Sequence, residues 1–308
     1  MKILIFGRGA IGTQYAWALE QAGHTVEFYV REGRKVEYGS YVDLEIWDAR
    51  RSKKDRLVKE KWSIVMHEEI AENHDYDLIF LSVNPEQVAI AAKYLAPRVG
   101  RATVLFFCNF WTDPQVALQP IPPNQIVYGF PNAGGGFEGN KVYGGLYKAV
   151  NLGTFESDFS KRDLEVQALF AGAGFKIKTS KDFQSWLWNH FAFNTAMEVE
   201  VLKSGSFKGV VSSSVSLAGI GSNMKEIVLI LKAKGSKLDV LSQILNVLPP
   251  KLVGFFLSKL VFSPKSVSYA LVAHNHYKVG YAVSEVIAEA RKYDIRAPRL
   301  DAVERFIK

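Results

Sequence analysis

The chain opens with Lys2-Ile3-Leu4-Ile5-Phe6-Gly7-Arg8-Gly9-Ala10-Ile11-Gly12, an apolar run followed by a G-x-G-x-x-G turn. The apolar run predicts a buried strand, and the residues after the turn, 13–22, predict a helix. A glycine turn between a strand and a helix is typical of dinucleotide-binding proteins, because the N–H groups at the helix start hold a pyrophosphate. The residues expected to contact such a cofactor are Gly7, Arg8, Gly9, Ala10, Ile11 and Gly12.

Arg31, which follows the second predicted strand at 25–30, indicates which dinucleotide is bound. A carboxylate at this place accepts hydrogen bonds from the ribose of NAD, whereas an arginine suits the 2′-phosphate of NADP. Arg31 therefore predicts NADP(H). The neighbouring Glu32 leaves NAD open, since its carboxylate is also suited to reading a ribose.

The composition is that of a globular protein with room for two domains: 308 residues, 48% hydrophobic and 22% charged. The net charge of +7 is explained by an anionic cofactor and substrate, and the basic cluster 50–56 is expected to be a solvated surface, so no nucleic-acid partner is expected. The single cysteine, Cys108, follows an apolar run and is expected to be a packing residue in a reducing, cytoplasmic setting. No leader segment is expected, and the apolar stretch 252–262 is too short to span a bilayer, so no membrane partner is expected.

The first half of the chain alternates strand and helix patterns, and the second half is helical. Strands are predicted at 2–6, 25–30, 77–83, 103–107 and 126–129, with a flexible turn at 132–136 and no clear element in 39–65. Long helices are predicted at 182–202, 222–234 and 278–293. This order predicts an α/β protein, with an N-terminal Rossmann doubly wound parallel sheet (1–180) followed by an all-α C-terminal domain (181–308). The second domain is expected to serve substrate binding and dimerisation.

The predicted helix 182–202 carries polar residues on one face. His190, Asn194 and Glu198 recur every four residues, so they lie along one stripe of an otherwise aromatic helix. Enzymes that transfer hydride also need a proton donor and groups that hold the charge of the substrate. This stripe is the candidate for those groups.

Several of these features together resemble the 2-dehydropantoate 2-reductase (ketopantoate reductase) family over nearly the whole chain. They are the opening fingerprint, Arg31, Asn109 after the strand 103–107, the helix 188–194, Ser266 and the closing Ile295-Arg296-Ala297-Pro298. The resemblance implies a Rossmann domain followed by a helical domain. It also implies NADPH-dependent reduction of ketopantoate to pantoate, a step towards pantothenate.

The resemblance assigns roles to individual residues. His190 and Asn194 occupy catalytic positions, with His190 where the family has lysine. The implied substrate-binding residues are Ser266, Lys278, Glu198 and Asn109, and the implied cofactor residues beyond the glycine turn and Arg31 are Asn84 and Asn109.

The chain departs from the family pattern at several of these positions. Lys278 stands where the family has glutamate, Glu198 where it has asparagine, and Asn84 where it has lysine. Structural alternatives stay open as well: Ser266 and Asn84 as helix caps, and Glu198 with Lys278 as an ion pair. Phe110 and Trp111 replace small residues and are expected to crowd the nicotinamide or reshape the substrate pocket.

The sequence thus predicts an NADPH-dependent reductase of a small 2-oxo acid, with no metal site. Two alternatives stay open: a related dehydrogenase with another substrate, of the opine type or acting on another 2-hydroxy acid, and a catalytically silent NADP(H)-binding sensor. The expected partner is a small-molecule substrate, and a homodimer is one further option.

Overall fold

The computed structural model describes residues 1–156, 158–180 and 182–307. The chain divides into two compact units. The N-terminal unit comprises Met1–Cys108 and Thr112–Lys181, and the helical unit comprises Asn109–Trp111 and Asp182–Lys308. Each unit has its own hydrophobic core.

The strands all belong to the N-terminal unit, within the part of the chain that the structure describes. In chain order they are β1 (Lys2–Phe6), β2 (Thr25–Tyr29), β3 (Tyr41–Asp48), β4 (Leu57–Ser63), β5 (Met66–His67), β6 (Leu78–Leu81), β7 (Thr103–Phe107), β8 (Ile126–Phe130), β9 (Ala133–Glu138), β10 (Lys141–Leu146), β11 (Ala149–Gly153) and β12 (Lys176–Ser180).

The helices lie in both units and include the predicted long helices of the second half. In chain order they are α1 (Ala10–Glu20), α2 (Arg34–Tyr38), α3 (Val88–Leu95), α4 (Pro114–Ala117), α5 (Lys161–Gly172), α6 (Phe183–Ser204), α7 (Phe207–Val211), α8 (Ser214–Ala233), α9 (Val240–Val247), α10 (Pro250–Phe256), α11 (Val267–Ala273), α12 (Tyr281–Lys292) and α13 (Pro298–Glu304).

The main sheet has the strand order β12-β11-β8-β7-β6-β1-β2-β5 and is parallel except where β11 runs against β8. Strands β6 and β7 are buried along their whole length, as the apolar runs predict for central strands of a parallel sheet. The aromatic rings of Tyr15, Phe80 and Phe107 lie within 5.6 Å of one another between α1 and the sheet. This parallel sheet and the helical second half confirm the predicted α/β class.

A smaller sheet with the order β4-β3-β10-β9 corrects two expectations. The region 39–65 holds β3 and β4, whose side chains alternate between buried and exposed along β3. The glycines at 134–136 were predicted to be a flexible turn, but they form part of β9. Gly135 has φ +139°, and a Cβ there would lie 2.0 Å from the Tyr143 oxygen, so glycine allows β10 to approach this closely.

Helix α8 is the centre of the helical unit and packs against α6 and α10. Among the described residues it is the helix that is long and apolar enough to cross a membrane by length and composition alone. Half of its apolar window is buried, and Met224, Ile227 and Leu231 lie in the helical core. The apolar character of α8 is therefore accounted for by packing within the unit.

Candidate functional site

Three predicted cofactor positions follow adjacent strands of the main sheet. Phe6 at the end of β1 is aligned with Tyr29 at the end of β2 and with Leu81 at the end of β6. The glycine turn begins, and Arg31 and Asn84 follow, within three residues of these strand ends, so they share one edge of the sheet. In open α/β sheets this carboxyl edge is where ligands bind.

The glycine turn has the geometry that a phosphate-binding loop requires. Gly7 has φ +92°, and its N–H donates to the Tyr29 oxygen at 2.9 Å. A Cβ on Gly12 would lie 2.9 Å from the Ile5 side chain, so α1 approaches β1 as closely as glycine permits. Gly9 caps α1 without any side-chain hydrogen bond, which leaves the first-turn N–H groups available to an anion.

Arg8 lies between Gly7 and Gly9, and its side chain is 9% exposed. Its guanidinium stacks on the rings of Tyr38 and Phe137, at 4.6 and 4.3 Å from the ring centres, and donates to the Asn140 side chain. Burial lowers the pKa of Arg8 from its ordinary value. Its Nε has no partner among the described residues, so one donor of this buried cation is unused.

Arg31 is exposed at the end of β2 and forms no ion pair within the described residues. Arg34, three residues later, is paired with Glu37. Lys35 donates its backbone N–H to Glu68 at 2.9 Å. Arg31 and the Lys35 ammonium are thus exposed without an ion pair within the described residues, and Arg31 is the one that directly follows β2.

Asn84 lies at the start of a 3-10 turn, Pro85–Gln87, and its N–H donates to the Gln87 side chain at 3.4 Å. This is the capping arrangement that the sequence left open as the structural alternative. The Asn84 side chain is exposed at the carboxyl edge. Its role towards a cofactor stays a prediction.

Cys108 and Asn109 follow the end of β7. The Cys108 thiol is buried and donates to the Val83 oxygen at 3.2 Å, and burial raises the pKa of the thiol to about 12. Cys108 is thus a packing residue, as predicted, because a thiol with this pKa forms no thiolate near pH 7. Both amide atoms of Asn109 are shielded from solvent and have no hydrogen-bond partner among the described residues. Its role towards a cofactor or substrate stays a prediction.

Trp111 is 1% exposed and packs in the core of the helical unit. Its expected effect on the nicotinamide or the substrate pocket stays a prediction. Its indole N–H donates to Glu289 at 3.2 Å, and its backbone oxygen accepts from the Trp188 indole at 2.8 Å. Lys234 lies over both indole rings and forms an ion pair with Glu289. The sequence analysis missed this network because its members are far apart along the chain.

His190 lies in α6 and stacks on Trp186, with ring centres 5.4 Å apart and planes 15° apart. Burial lowers the pKa of His190 to about 4, although the nearby Asp239 carboxylate acts in the opposite direction. The imidazole is therefore neutral at pH 7. A neutral imidazole still donates one N–H hydrogen bond, but it does not carry the transferable proton of an imidazolium.

The other two residues of the α6 stripe differ in their surroundings. The Asn194 side chain is partly exposed and has no hydrogen bond within the described residues. Glu198 is 4% exposed and accepts hydrogen bonds from the Tyr277 hydroxyl at 3.2 Å and the Gly280 N–H at 3.0 Å. Desolvation of the hydroxyl and the neighbouring Glu198 carboxylate raise the pKa of Tyr277 well above its ordinary value. Glu198 thus holds the segment that leads into α12.

Ser266 and Lys278 differ in their contacts. Ser266 caps α11: its hydroxyl accepts from the Tyr269 N–H at 3.0 Å and donates to the Val261 oxygen at 2.7 Å. Lys278 is exposed, and it forms no ion pair with Glu198 or any other described residue. The capping alternative for Ser266 is therefore present in the structure, and the Glu198–Lys278 ion pair is absent. Substrate roles for these residues stay predictions.

Asn189 is a second residue that the sequence analysis missed. Its side-chain N–H group donates to the Lys237 oxygen at 2.8 Å, and its oxygen accepts from the Asp239 N–H at 3.2 Å. It therefore fixes the connection between α8 and α9 beside α6, and this is the connection that carries Asp239. Asn189 thereby fixes the backbone of Asp239, whose carboxylate lies near His190.

The model of the ketopantoate reductase PanE/ApbA family matches residues 3–157. The chain belongs to this family. The match covers the glycine turn, Arg31, Asn84 and Asn109, and it places the protein in a family of oxidoreductases. A search of curated proteins gives no significant match.

Solved structures of the ketopantoate reductase family share the fold of the whole chain. A PanE/ApbA family ketopantoate reductase from Ralstonia eutropha JMP134 is 17% identical, with a TM-score of 0.72, and the match covers 100% of this chain and 97% of that one. A 2-dehydropantoate 2-reductase from Geobacter metallireducens GS-15 is 17% identical, with a TM-score of 0.69 and coverage of 100% and 99%. D-mandelate dehydrogenase in complex with NADH and anilino(oxo)acetate is 16% identical, with a TM-score of 0.72 and coverage of 100% and 97%. At these identities the likeness establishes the fold alone.

Proposed function

We propose that this ketopantoate reductase family member is an NADPH-dependent reductase of a small 2-oxo acid, with ketopantoate as the first substrate to test and pantothenate synthesis as its pathway. The observation that carries the proposal is the carboxyl edge of the main sheet. There an uncapped helix start, a glycine turn with φ +92° at Gly7 and the unpaired Arg31 come together. The bound cofactor would supply the hydride.

The preference for NADPH rests on Arg31. A guanidinium without a carboxylate partner is suited to bind a 2′-phosphate, and each charge-assisted hydrogen bond contributes about 1.5–3 kcal/mol. Arg31→Ala is therefore expected to weaken NADPH binding roughly 10- to 100-fold and to leave NADH binding nearly unchanged. Arg34→Ala is the matched control, because Arg34 already pairs with Glu37. Titration of nicotinamide fluorescence measures the affinity of each variant for NADPH and for NADH. An equal loss of affinity for the two cofactors in Arg31→Ala would contradict the preference for NADPH.

The substrate contacts are assigned to the helical unit. Because burial keeps His190 neutral, its proposed role is to donate an N–H hydrogen bond to the substrate carbonyl oxygen, which polarises the carbonyl for hydride attack. The proton that converts the resulting alkoxide to the alcohol would come from solvent water. Asn194, one helical turn away, would hold the same oxygen or the neighbouring carboxylate. The shielded amide of Asn109 would gain its missing partner from the ligand. Lys278 would bind the substrate carboxylate, and Ser266 would orient it from the start of α11.

A substrate panel tests the activity. NADPH oxidation is followed with ketopantoate, with an aromatic 2-oxo acid, and with a 2-oxo acid supplied together with an amino acid. Turnover with ketopantoate supports the proposal, and turnover only with the amino acid present favours an opine-type reaction. Tight NADPH binding without turnover on the whole panel would favour a sensor.

A related dehydrogenase of another 2-hydroxy acid is the second candidate. It is favoured by the likeness of the whole chain to D-mandelate dehydrogenase and by the replacement of the family lysine with His190. The aromatic 2-oxo acid in the panel distinguishes it from a ketopantoate reductase. For either activity we propose a cytoplasmic location, in keeping with a single buried thiol.

A further inference from the structure

The segment 240–260 of the helical unit exposes an unusual number of large apolar side chains. We call this surface the α9–α10 face. The side chains of this face are between 43% and 76% exposed. Other exposed apolar residues, such as Val36 and Ile90, have no exposed large apolar neighbour in the sequence. The face consists of Val240, Leu241, Ile244, Val247, Leu252, Phe255, Phe256 and Leu260.

Both helices of this face have a fixed inner side. In α9 the exposed residues recur at helical spacing, and Leu245 on the opposite side is buried. In α10 the buried residues Val253 and Gly254 face α8, and a Cβ on Gly254 would lie 2.4 Å from the Ser214 oxygen. Because α10 lies this close to the α8 backbone, it cannot rotate to bury Phe255 and Phe256.

The charge around the face is mostly positive, and the carboxylate beside α9, that of Asp239, caps that helix by accepting from the Ser242 N–H at 2.7 Å. Residues 240–283 contain no aspartate or glutamate. Lys251, Lys259 and Lys265 lie in this stretch, are exposed, and form no ion pair within the described residues. The apolar face is therefore bordered by unpaired positive charge.

We propose that the α9–α10 face binds the surface of an anionic lipid bilayer, with the aromatic and aliphatic side chains in the headgroup region and the lysines on lipid phosphates and carboxylates. Short helices with an apolar face and flanking lysines lie in the plane of such a surface. The sequence analysis expected no membrane partner because it asked only whether 252–262 is long enough to span. A helix that lies on the surface does not need that length.

A second copy of the chain fits this face less well. A two-fold contact brings the same patch of both copies together. The lysines of each copy would then face a patch of the same composition, and residues 240–283 offer no carboxylate to pair with them. A lipid surface supplies the missing negative charge. The proposal is independent of the proposed enzymatic activity.

Co-sedimentation with vesicles tests the proposal directly. The full chain is mixed with vesicles of phosphatidylcholine alone or of phosphatidylcholine with phosphatidylserine, at low and high salt. We expect binding to the anionic vesicles that falls at high salt. The double variant Phe255→Ser/Phe256→Ser is expected to bind at least about tenfold more weakly, and each of Lys251→Gln and Lys259→Gln about fivefold more weakly.

Ile90→Ser is the matched control, because Ile90 is 73% exposed in the N-terminal unit and should not change vesicle binding. Leu260→Ser, which is also 73% exposed, provides a milder variant of the face if the double variant unfolds. Circular dichroism establishes that each variant is folded. The proposal is overturned if the wild type ignores anionic vesicles or if the face variants bind them as well as the wild type does. It is also overturned if sedimentation equilibrium shows a dimer that Phe255→Ser/Phe256→Ser dissociates.

Discussion

Lys234 and Glu289 form an ion pair of 3.0 Å inside the helical unit, with side chains only 11% and 9% exposed. Glu289 also accepts from the Trp111 indole and pairs with Lys292, whose side chain is 66% exposed. Although burial favours the neutral carboxylic acid, the hydrogen bonds from the two lysines hold the pKa of Glu289 below its ordinary value. The pair thus joins α8 and α12 to the short segment 109–111.

Removal of the buried lysine should destabilise the protein far more than removal of the exposed one. Lys234→Met leaves the buried Glu289 with Lys292 as its one remaining cationic partner among the described residues, beside the hydrogen bond from the Trp111 indole. We therefore expect a loss of about 3 kcal/mol in the free energy of unfolding. Lys292→Met removes an exposed partner and should cost less than about 1 kcal/mol. Urea unfolding at pH 7 measures both. Equal effects would show that Lys234 is not the residue that stabilises Glu289.

The parts of the fold that were predicted correctly are those whose signal is local. The apolar run 103–107 gave β7 with its observed bounds, because a central parallel strand is buried on both sides. The region 39–65 gave no clear element, although β3 alternates between buried and exposed residues. The basic residues 50–56 separate β3 from β4 and obscure that hairpin. The glycines of β9 favoured a turn, because the close approach of β10 cannot be recognised from one strand alone.

The candidate site divides in the same way. The glycine turn and Arg31 lie within one strand–helix–strand unit, so their spacing alone predicts that they share an edge. The partners of Glu198 come from residues 277 and 280, about eighty positions away, and no pattern in α6 indicates them. Trp111 was expected to crowd the nicotinamide or reshape the substrate pocket, and this stays a prediction. Its burial depends on Trp188 and Glu289, which only the folded helical unit brings together.

Two glycines of the turn should separate cofactor binding from folding. A Cβ on Gly9 meets nothing within 4 Å, so Gly9→Ala should change the free energy of unfolding by less than about 1 kcal/mol. The same Cβ would meet a bound pyrophosphate, so NADPH affinity should fall about tenfold or more. Gly12→Ala places its Cβ 2.9 Å from the Ile5 side chain and should cost about 1–3 kcal/mol of stability.

Thermal unfolding and NADPH titration of both variants check this separation. The matched control is Gly23→Ala, which has the left-handed φ of +88° but lies at the end of α1, away from the turn. It should lower stability and leave cofactor affinity unchanged. Normal NADPH binding by Gly9→Ala would contradict the placement of the pyrophosphate on this turn.

The neutral state of His190 makes stability depend on pH. Its pKa is about 4 in the folded chain and 6.5 when exposed, so the unfolded chain binds more protons between these values. The contribution of His190 to stability is therefore fully present above pH 6.5 and is lost as the pH falls towards 4. Between pH 7 and pH 5 we expect a loss of about 2 kcal/mol that His190→Gln does not show.

Urea unfolding of both proteins at the two pH values measures the difference. NMR titration of the His190 ring gives an independent check, since its resonances should keep the neutral position down to about pH 5. A ring that titrates near 6.5 would instead restore His190 as an imidazolium donor. His190→Lys, which introduces the family residue, would then test whether a charged donor at this place raises the rate of ketopantoate reduction.

Glu198 is expected to affect stability, because it is buried and hydrogen-bonded. Lys278 is expected to affect substrate binding, because it is exposed and forms no ion pair within the described residues. Glu198→Gln weakens the acceptor of the Tyr277 hydroxyl and the Gly280 N–H, so it should lower the free energy of unfolding by about 1–3 kcal/mol. Lys278→Ala should leave stability unchanged and raise KM for every accepted 2-oxo acid about tenfold, since a charge-assisted contact to the carboxylate is lost.

Lys232→Ala is the control for Lys278→Ala, because Lys232 is an exposed lysine of the same unit to which no role is assigned. Initial rates over a range of substrate concentrations, with unfolding curves for each variant, separate the two effects. If Lys278→Ala leaves KM unchanged for all accepted acids, the carboxylate does not bind there. The other exposed lysines and the shielded amide of Asn109 would then be the next candidates, and Asn109→Ala would distinguish them because it removes a polar group that already lacks a protein partner.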